Sequence, residues 1–513
     1  YDKKISKINF DNLTYKPSPH LLSSLIRYQT KKINVGEISI ENLWNNNSIK
    51  PKDFRRLNNF YWFFSLDLKS SKKDTKKIIS SWIKKNFKYN SKSWEFDLTS
   101  KRIISWLSNH NLTIEENDKD YHNQFNSMIK KQTNHLMNEI NKSEIIDDKI
   151  IGCAAIILVG LCYRDEKNFL MFGLNLLKKI SALSFDNHGF LKSRNIKQLV
   201  FYLKYFILIR EWFRESRVDV PDHINEAIYY LGQGYAFIWQ NIQFDILMNG
   251  NNLSNNTEFD HYLKRFGYKF KNENKEFGGY AILHNKKMCL VMDVGQPPAS
   301  KLSSNYQSGA LSFEINSGGK KLISNCGYYN NKNFKLIELS KSTATHSTLI
   351  IDDHSSCRYK KMNNKNYFAF NDLRILKKNI VFEKNYWKIN AAHDGYQNKY
   401  NITHEREIEF YPEQLKFVGT DKILNKKNNF NIKFEVRFHL EPNVKLMKTQ
   451  DNKTILIELE DDGWKFTCDN YDINIDNGLY FGNKNSYTQN QNIFISGITT
   501  NQNETIIWQL TKI

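Results

Sequence analysis

Proline is scarce in this sequence, at 8 of 513 residues, and glycine is modest at 22. That composition excludes collagen-like chains and Pro/Gly-rich low-complexity chains. Cysteine is sparse too. Cys153, Cys162, Cys289, Cys326, Cys357 and Cys468 are scattered, with no Cys-x-x-Cys pair. A disulfide scaffold and a cysteine-rich zinc site are thereby disfavoured, and buried small apolar thiols are expected. The most apolar run, Ile150 to Cys162, falls short of the roughly 20 residues that a spanning helix needs, so it reads as a buried helix. Acidic residues are outnumbered, 54 Asp and Glu against 74 Lys and Arg, for a formal net charge of +20. Zinc-finger spacing, an RNA-recognition signature, a basic helix with heptads and a dense basic run are all missing, so nucleic acid is not an expected partner. An acidic polymer such as a uronate polysaccharide, an anionic membrane surface, or a simple bias toward Lys, Asn and Ile each fits the charge. The first residue is Tyr1 rather than Met, and the true N-terminus is expected to lie upstream.

What is present is enough for a large core: 40% hydrophobic and 14% aromatic residues. The length argues for more than one domain. Up to about residue 255 the pattern is helical. Ile103, Ile104, Trp106 and Leu107 recur at helical spacing, with Thr99 or Ser100 as N-cap. Leu199 to Phe213 is apolar nearly all round, as an inner helix would be. After the polar stretch Asn249 to Asn256, short β-rich runs follow, among them Met288 to Val294, Ser347 to Ile351, Tyr386 to Ala391 and Phe434 to Leu440. Ser317-Gly318-Gly319 and Asp476-Asn477-Gly478 read as turns between them. The expected fold class is α+β with two domains: an all-α (α/α) toroid over 1–255, then an antiparallel β-sandwich over 256–513.

Several segments carry more than layout. They are Leu57-Asn58-Asn59-Phe60-Tyr61-Trp62, Trp82 and Ser100 to Leu107 in the front half. The back half has Val291 to Pro298, Ser308 to Glu314, Asn325-Cys326-Gly327, Ser342-Thr343-Ala344-Thr345-His346-Ser347-Thr348-Leu349 and Ala392-His393-Asp394-Gly395-Tyr396. In this order and spacing they resemble the heparinase II/III-like proteins over nearly the whole chain. Characterised members are lyases of uronic-acid polysaccharides such as heparin, heparan sulfate and alginate. The resemblance implies that fold and that chemistry, with an anionic polysaccharide or oligosaccharide as partner and a periplasmic or secreted setting. It requires no cofactor, is compatible with a structural zinc, and includes a homodimer among the expected states.

β-Elimination at a uronate needs a group to offset the carboxylate, a base for the adjacent proton and an acid for the leaving oxygen. The resemblance implies Asn187 and His188, in Asp186-Asn187-His188-Gly189, as neutraliser and base. A plain turn with an exposed His188 is the alternative. It implies a functional His346, as catalyst or metal ligand, and a metal role for His393; two His and a carboxylate, from Asp352 or Asp372, could hold zinc. The family's acid is a Tyr some way downstream, but Gln243 to Gly250 contains none. Tyr235 is the nearest candidate, against a core role. Arg102 and Arg194, beside the family-like segments, are expected to bind uronate or sulfate. His404 and Arg406 are expected to line the substrate face or to pair with acids. Trp62, Trp82, Trp106, Trp212 and Trp239 could stack on sugars or build the core. A glycoside hydrolase using two carboxylates from Asp186, Asp245, Glu314 and Asp352, or a non-catalytic anionic-glycan binder, stays open beside the lyase.

Overall fold

The computed structural model describes residues 13–26, 44, 50–66, 68–115, 117–163, 167–242, 244–254, 256–331, 333–362, 366–370, 372–425, 431–460, 462–483 and 486–513. A helical region is followed by antiparallel sheets, which is the expected fold class. By contact the chain forms two compact units. One comprises Tyr1–Ser184, Phe201–Tyr229 and Asn255–Lys269, the other Phe185–Val200, Tyr230–Ser254 and Phe270–Ile513. Two segments that precede residue 255 therefore group with the sheets.

The first unit contains the helices Leu68–Asn86, Phe96–Ser108, Lys119–Glu139, Ile146–Cys162 and Lys167–Ser184. Ile146–Cys162 is buried on every side from Ile150 onward, as an apolar run without a polar face must be. No described helix is long and apolar enough to cross a membrane. The front-half motif residues meet in an aromatic cluster. Phe60 packs edge-on against Trp82 and Trp106 at 6.0 and 5.2 Å, and Trp106 reaches Phe125 at 5.6 Å. Trp82, Trp106 and Trp212 are fully buried and Trp62 nearly so, so these rings build core rather than sugar platforms. Arg102 is drawn into the same cluster. Its guanidinium lies 4.0 Å over Trp82 and donates to Gln132 Oε1, Asn58 O and Ser93 O. Arg102 is fully buried, which corrects its expected role as a substrate ligand. The expected cap is corrected as well. The helix begins at Phe96, Glu95 occupies the N-cap without a side-chain bond, and Asp97 supplies negative charge in the first turn. Thr99 and Ser100 are interior, and Ser100 Oγ donates to Phe96 O.

In the second unit, eight strands form one sheet in the order Lys445–Lys448, Thr454–Leu459, Asp462–Cys468, Asn503–Lys512, Lys416–Asn425, Ile402–Tyr411, Trp387–Tyr396 and Ile375–Phe382. Five strands between Glu276 and Ile323 form a meander. A third sheet runs Ile473–Tyr480, Thr488–Ile498, Lys433–His439, Leu349–Ile351. Alternation along Ile402–Tyr411 and Lys416–Asn425 sends one face inward. The inner faces share one core, in which Phe313 stacks on Trp508 at 5.4 Å and Phe438 meets Phe466 at 4.7 Å. Gly318 and Gly319 turn a hairpin with φ of 56° and 89°, as expected. Asp476-Asn477-Gly478 is not a turn but lies inside Ile473–Tyr480, paired with Thr488–Ile498. All six cysteines are free and buried.

Removing the Trp82 ring should cost about 3–5 kcal/mol. Urea unfolding of Trp82→Ala checks this, and a loss below about 1 kcal/mol would show that the aromatic cluster does not anchor the first unit.

Candidate functional site

The second unit carries a cleft of about 840 Å³. Its walls come from the turn at 186–194, the start of the meander, the segment Val294–Leu302 and the edge strand at 375–378. The turn is built by Asp186, whose Oδ1 accepts the N–H groups of His188 and Phe190. Gly189 closes it at φ 82°, and a Cβ there would lie 2.2 Å from the Tyr230 ring. His188 is thereby held exposed on the cleft wall with Lys192, Lys377, Lys378, Asp186 and Glu276. Lys377 pairs with Glu405 and Lys378 with Glu276. Asn187 is exposed on the same turn but is not among the lining residues. The following helix, Ile196–Glu215, is capped by Asn195, whose Oδ1 accepts from Lys197 and Gln198 N–H.

Arg194 lines the cleft but does not offer its donors to it. It is 7% exposed, sits at φ 55°, and donates to Gly278 O, Gly279 O, Gly295 O and Asp293 Oδ1. Asp293 also accepts from Asn249 Nδ2, and Tyr280 O–H donates to Arg194 O. The guanidinium is a brace, correcting its expected role as a uronate ligand. Of the two roles expected for His404 and Arg406, pairing with an acid is the one found. Both are fully buried. Arg406 grips Asp421 through Nε and Nη2 and donates by Nη1 to Leu311 O and Ser347 O. His404 Nε2 lies 2.7 Å from Asp421 Oδ1. The Arg406 guanidinium holds the Asp421 carboxyl far below the usual carboxylate range against the opposing effect of burial. Asp421, with Trp508 Nε1 on its other oxygen, escaped sequence reading because an Asp inside an alternating strand carries no local signal of burial.

His393 continues this chain. Its Nδ1 accepts the Gly395 N–H at 3.0 Å, and its Nε2 lies 3.3 Å from His404 Nδ1. With Asp421 as terminal acceptor, both rings are neutral and both protons sit on Nε2. Burial lowers both imidazoles. No ring nitrogen of His393 or His404 is left for a metal. Asp352 lies in an exposed turn at φ 48°, where its Oδ2 accepts from Tyr400 O–H. Among the described residues no three His, Cys, Asp or Glu side chains converge as ligands. The residues expected to hold zinc through His346, His393 and Asp352 do not fit that group.

Tyr235 is fully buried and stacks on Trp239 at 5.1 Å. It is a core ring, correcting its expected role as the acid. The segment where a tyrosine acid was sought is a strap tied down by polar groups. Leu247 N–H donates to Glu314 Oε1, Asn249 to Tyr280 and Asp293, and Asn252 to Tyr328 O and Phe481 O. Glu314 is fully buried beside Lys321 at 2.9 Å, which removes it from any exposed carboxylate pair.

His346 is 1% exposed and is not among the residues lining the cleft. Its Nδ1 lies 2.9 Å from Ser342 O. A carbonyl only accepts, so Nδ1 carries the proton and Nε2 is a bare acceptor with no donor among the described residues. Burial holds this imidazole down at about 4. His439 is packed nearby, with Nε2 on Ala344 O and Nδ1 3.3 Å from Cys326 Sγ, and is held down at about 3. Unfolding releases both rings to ordinary values, so the unfolded chain binds protons that the folded one refuses. Stability therefore falls as pH drops from about 6.5 toward 4, by on the order of 3 kcal/mol per ring. His346→Gln should flatten this slope in denaturant unfolding between pH 7 and 5. An unchanged slope would show that His346 is not held neutral.

The sequence of residues 275–509 matches the family described as Heparinase II/III-like, C-terminal. FtsZ-localized protein C of Caulobacter vibrioides is 24% identical over 247 residues, covering 46% of this chain and 42% of that protein. The chain thus aligns with less than half the length of this relative. The heparan sulfate lyase HepC mutant from Pedobacter heparinus superposes with a TM-score of 0.70 at 12% identity, covering 96% of this chain and 82% of that one. Heparinase III superposes with a TM-score of 0.69 at 14% identity, covering 100% and 87%. Likenesses at such identities show the fold, an α/α toroid followed by an antiparallel sandwich. Residues 275–509 thus form a heparinase II/III-like C-terminal domain, and the fold as a whole is that of the heparinase structures.

Proposed function

We propose that this protein is a polysaccharide lyase that cleaves an anionic, uronic-acid-containing chain by β-elimination, with His188 as the group that moves the proton. The observation that carries this reading is the placement of His188: exposed, fixed by the Asp186 turn, and on the wall of a cleft that also presents Lys192, Lys377 and Lys378. Lysine ammonium groups offset the uronate carboxylate, which makes the adjacent C–H acidic enough to lose its proton. His188 takes that proton, the bond to the glycosidic oxygen breaks, and a carbon–carbon double bond forms. With Tyr235 buried and no tyrosine among the described residues of the cleft lining, the imidazolium itself returns the proton to the leaving oxygen. The fold likeness to a heparan sulfate lyase supports the same class of substrate. The setting proposed with it is the periplasm or the exterior of a bacterium, where acidic polysaccharide is met.

The missing tyrosine also favours a second reading, in which the cleft binds an anionic glycan without cutting it. One assay separates the two. The conjugated product of elimination absorbs in the ultraviolet, whereas a bound or hydrolysed chain does not. On a panel of uronate polysaccharides, absorbance should rise and should fall by about 10²–10⁴-fold in His188→Ala. A flat trace with retained glycan binding would replace the lyase by the binder. New reducing ends without absorbance would turn attention to hydrolysis.

A further inference from the structure

The first unit carries a lysine-rich stretch. Between Lys72 and Lys92 there are eight lysines and a single acid, Asp74. Lys72, Lys76 and Lys77 pair with Glu115, Asp118 and Asp74. Lys73, Lys84, Lys88 and Lys92 are exposed and have no acidic partner among the described residues. Positions 73, 77 and 84 fall within about 40° of one another around the helix Leu68–Asn86, so they form a stripe that runs to its C-terminal end. There the chain turns outward and exposes two aromatic rings, Phe87 at 47% and Tyr89 at 54%.

This loop is held firmly. Lys131 Nζ donates to Phe87 O at 2.6 Å and sits 4.3 Å over the Phe87 ring. Asn90 Oδ1 accepts the Lys92 and Ser93 N–H groups, and Ser93 Oγ donates to Asn86 Oδ1. Trp94, buried beneath, donates to Asn86 O. The rings are thus presented to solvent by a built turn. An exposed Phe between lysines is the pattern of an interfacial anchor, in which rings enter the headgroup layer and ammonium groups meet lipid phosphates.

We propose that this loop, Phe87-Lys88-Tyr89 with Lys84, Lys92 and the stripe leading to it, docks the protein on an anionic lipid bilayer surface. Two features favour a bilayer over a soluble polyanion. The unpaired cations are all lysine, compact point charges suited to a diffuse layer of headgroups. Bidentate grip on sulfate or carboxylate would use arginine. And Phe87 and Tyr89 stand exposed at the end of the stripe, where the headgroup boundary accepts aromatic rings.

The test is sedimentation of the full chain with phosphatidylcholine vesicles, with and without phosphatidylglycerol. Binding is expected only to the anionic vesicles and should weaken as salt rises. The triple variant Lys84→Gln, Lys88→Gln, Lys92→Gln should lose about 100-fold in partitioning, and Lys→Arg at the same positions should keep it. Phe87→Ser with Tyr89→Ser should also release the protein. Thermal melting, unchanged for these exposed sites, keeps the variants interpretable. Failure of the native chain to bind anionic vesicles, or binding that these variants leave intact, overturns the proposal. Heparin binding that the variants abolish, without vesicle binding, would reassign the loop to a soluble polyanion. None of these results depends on whether His188 catalyses elimination.

Discussion

A guanidinium carries five N–H donors in one plane and cannot shed its charge. Buried, it must find an acceptor in nearly every direction or cost the fold several kcal/mol. Arg194 meets this demand with three glycine carbonyls and Asp293. The glycines are part of the solution, since a Cβ on Gly295 would lie 2.4 Å from Cζ. The floor of the cleft, the turn that bears His188 and the strap at Asn249 are all referred to this one planar group. Arg406 does the same in the sandwich, joining Asp421 to the carbonyls of Leu311 and Ser347.

The fold was legible because its signals are periodic. A run apolar on every side, Ile150 to Cys162, could only be interior, and alternation along Phe434 to Leu440 could only be a sheet with one buried face. The Asp476-Asn477-Gly478 segment misled because turn chemistry is local while strand pairing is not. Gly478 lies opposite Asn490 in the ladder, a partner that no local signal identifies.

The site was legible only in part. The Asp186 turn could be read because Asp, Asn and Gly have a defined behaviour in three or four consecutive residues. The arginines could not, since residue type does not reveal which carbonyls will surround a side chain. Arg102 and Arg194 were expected to meet substrate, and each lies inside. The same blindness hid Asp421, and it made Tyr235 a candidate acid when its ring belongs to the core. Lys84, Lys88 and Lys92 show the converse: dispersed in sequence, they are brought into one field by a helix and the turn that ends it.

All six thiols are sealed and none is joined to another. No covalent cross-link restrains the chain, so nothing beyond packing, hydrogen bonds and ion pairs limits how far it can open. A small alkylating reagent would reach Cys153 or Cys162 only when the helix Ile146–Cys162 is uncovered, and Cys326 or Cys357 only when the second unit parts. The rate at which each thiol is modified in native buffer is therefore a clock for opening of its own region. The cysteines serve as six separate reporters placed through the molecule by the fold itself.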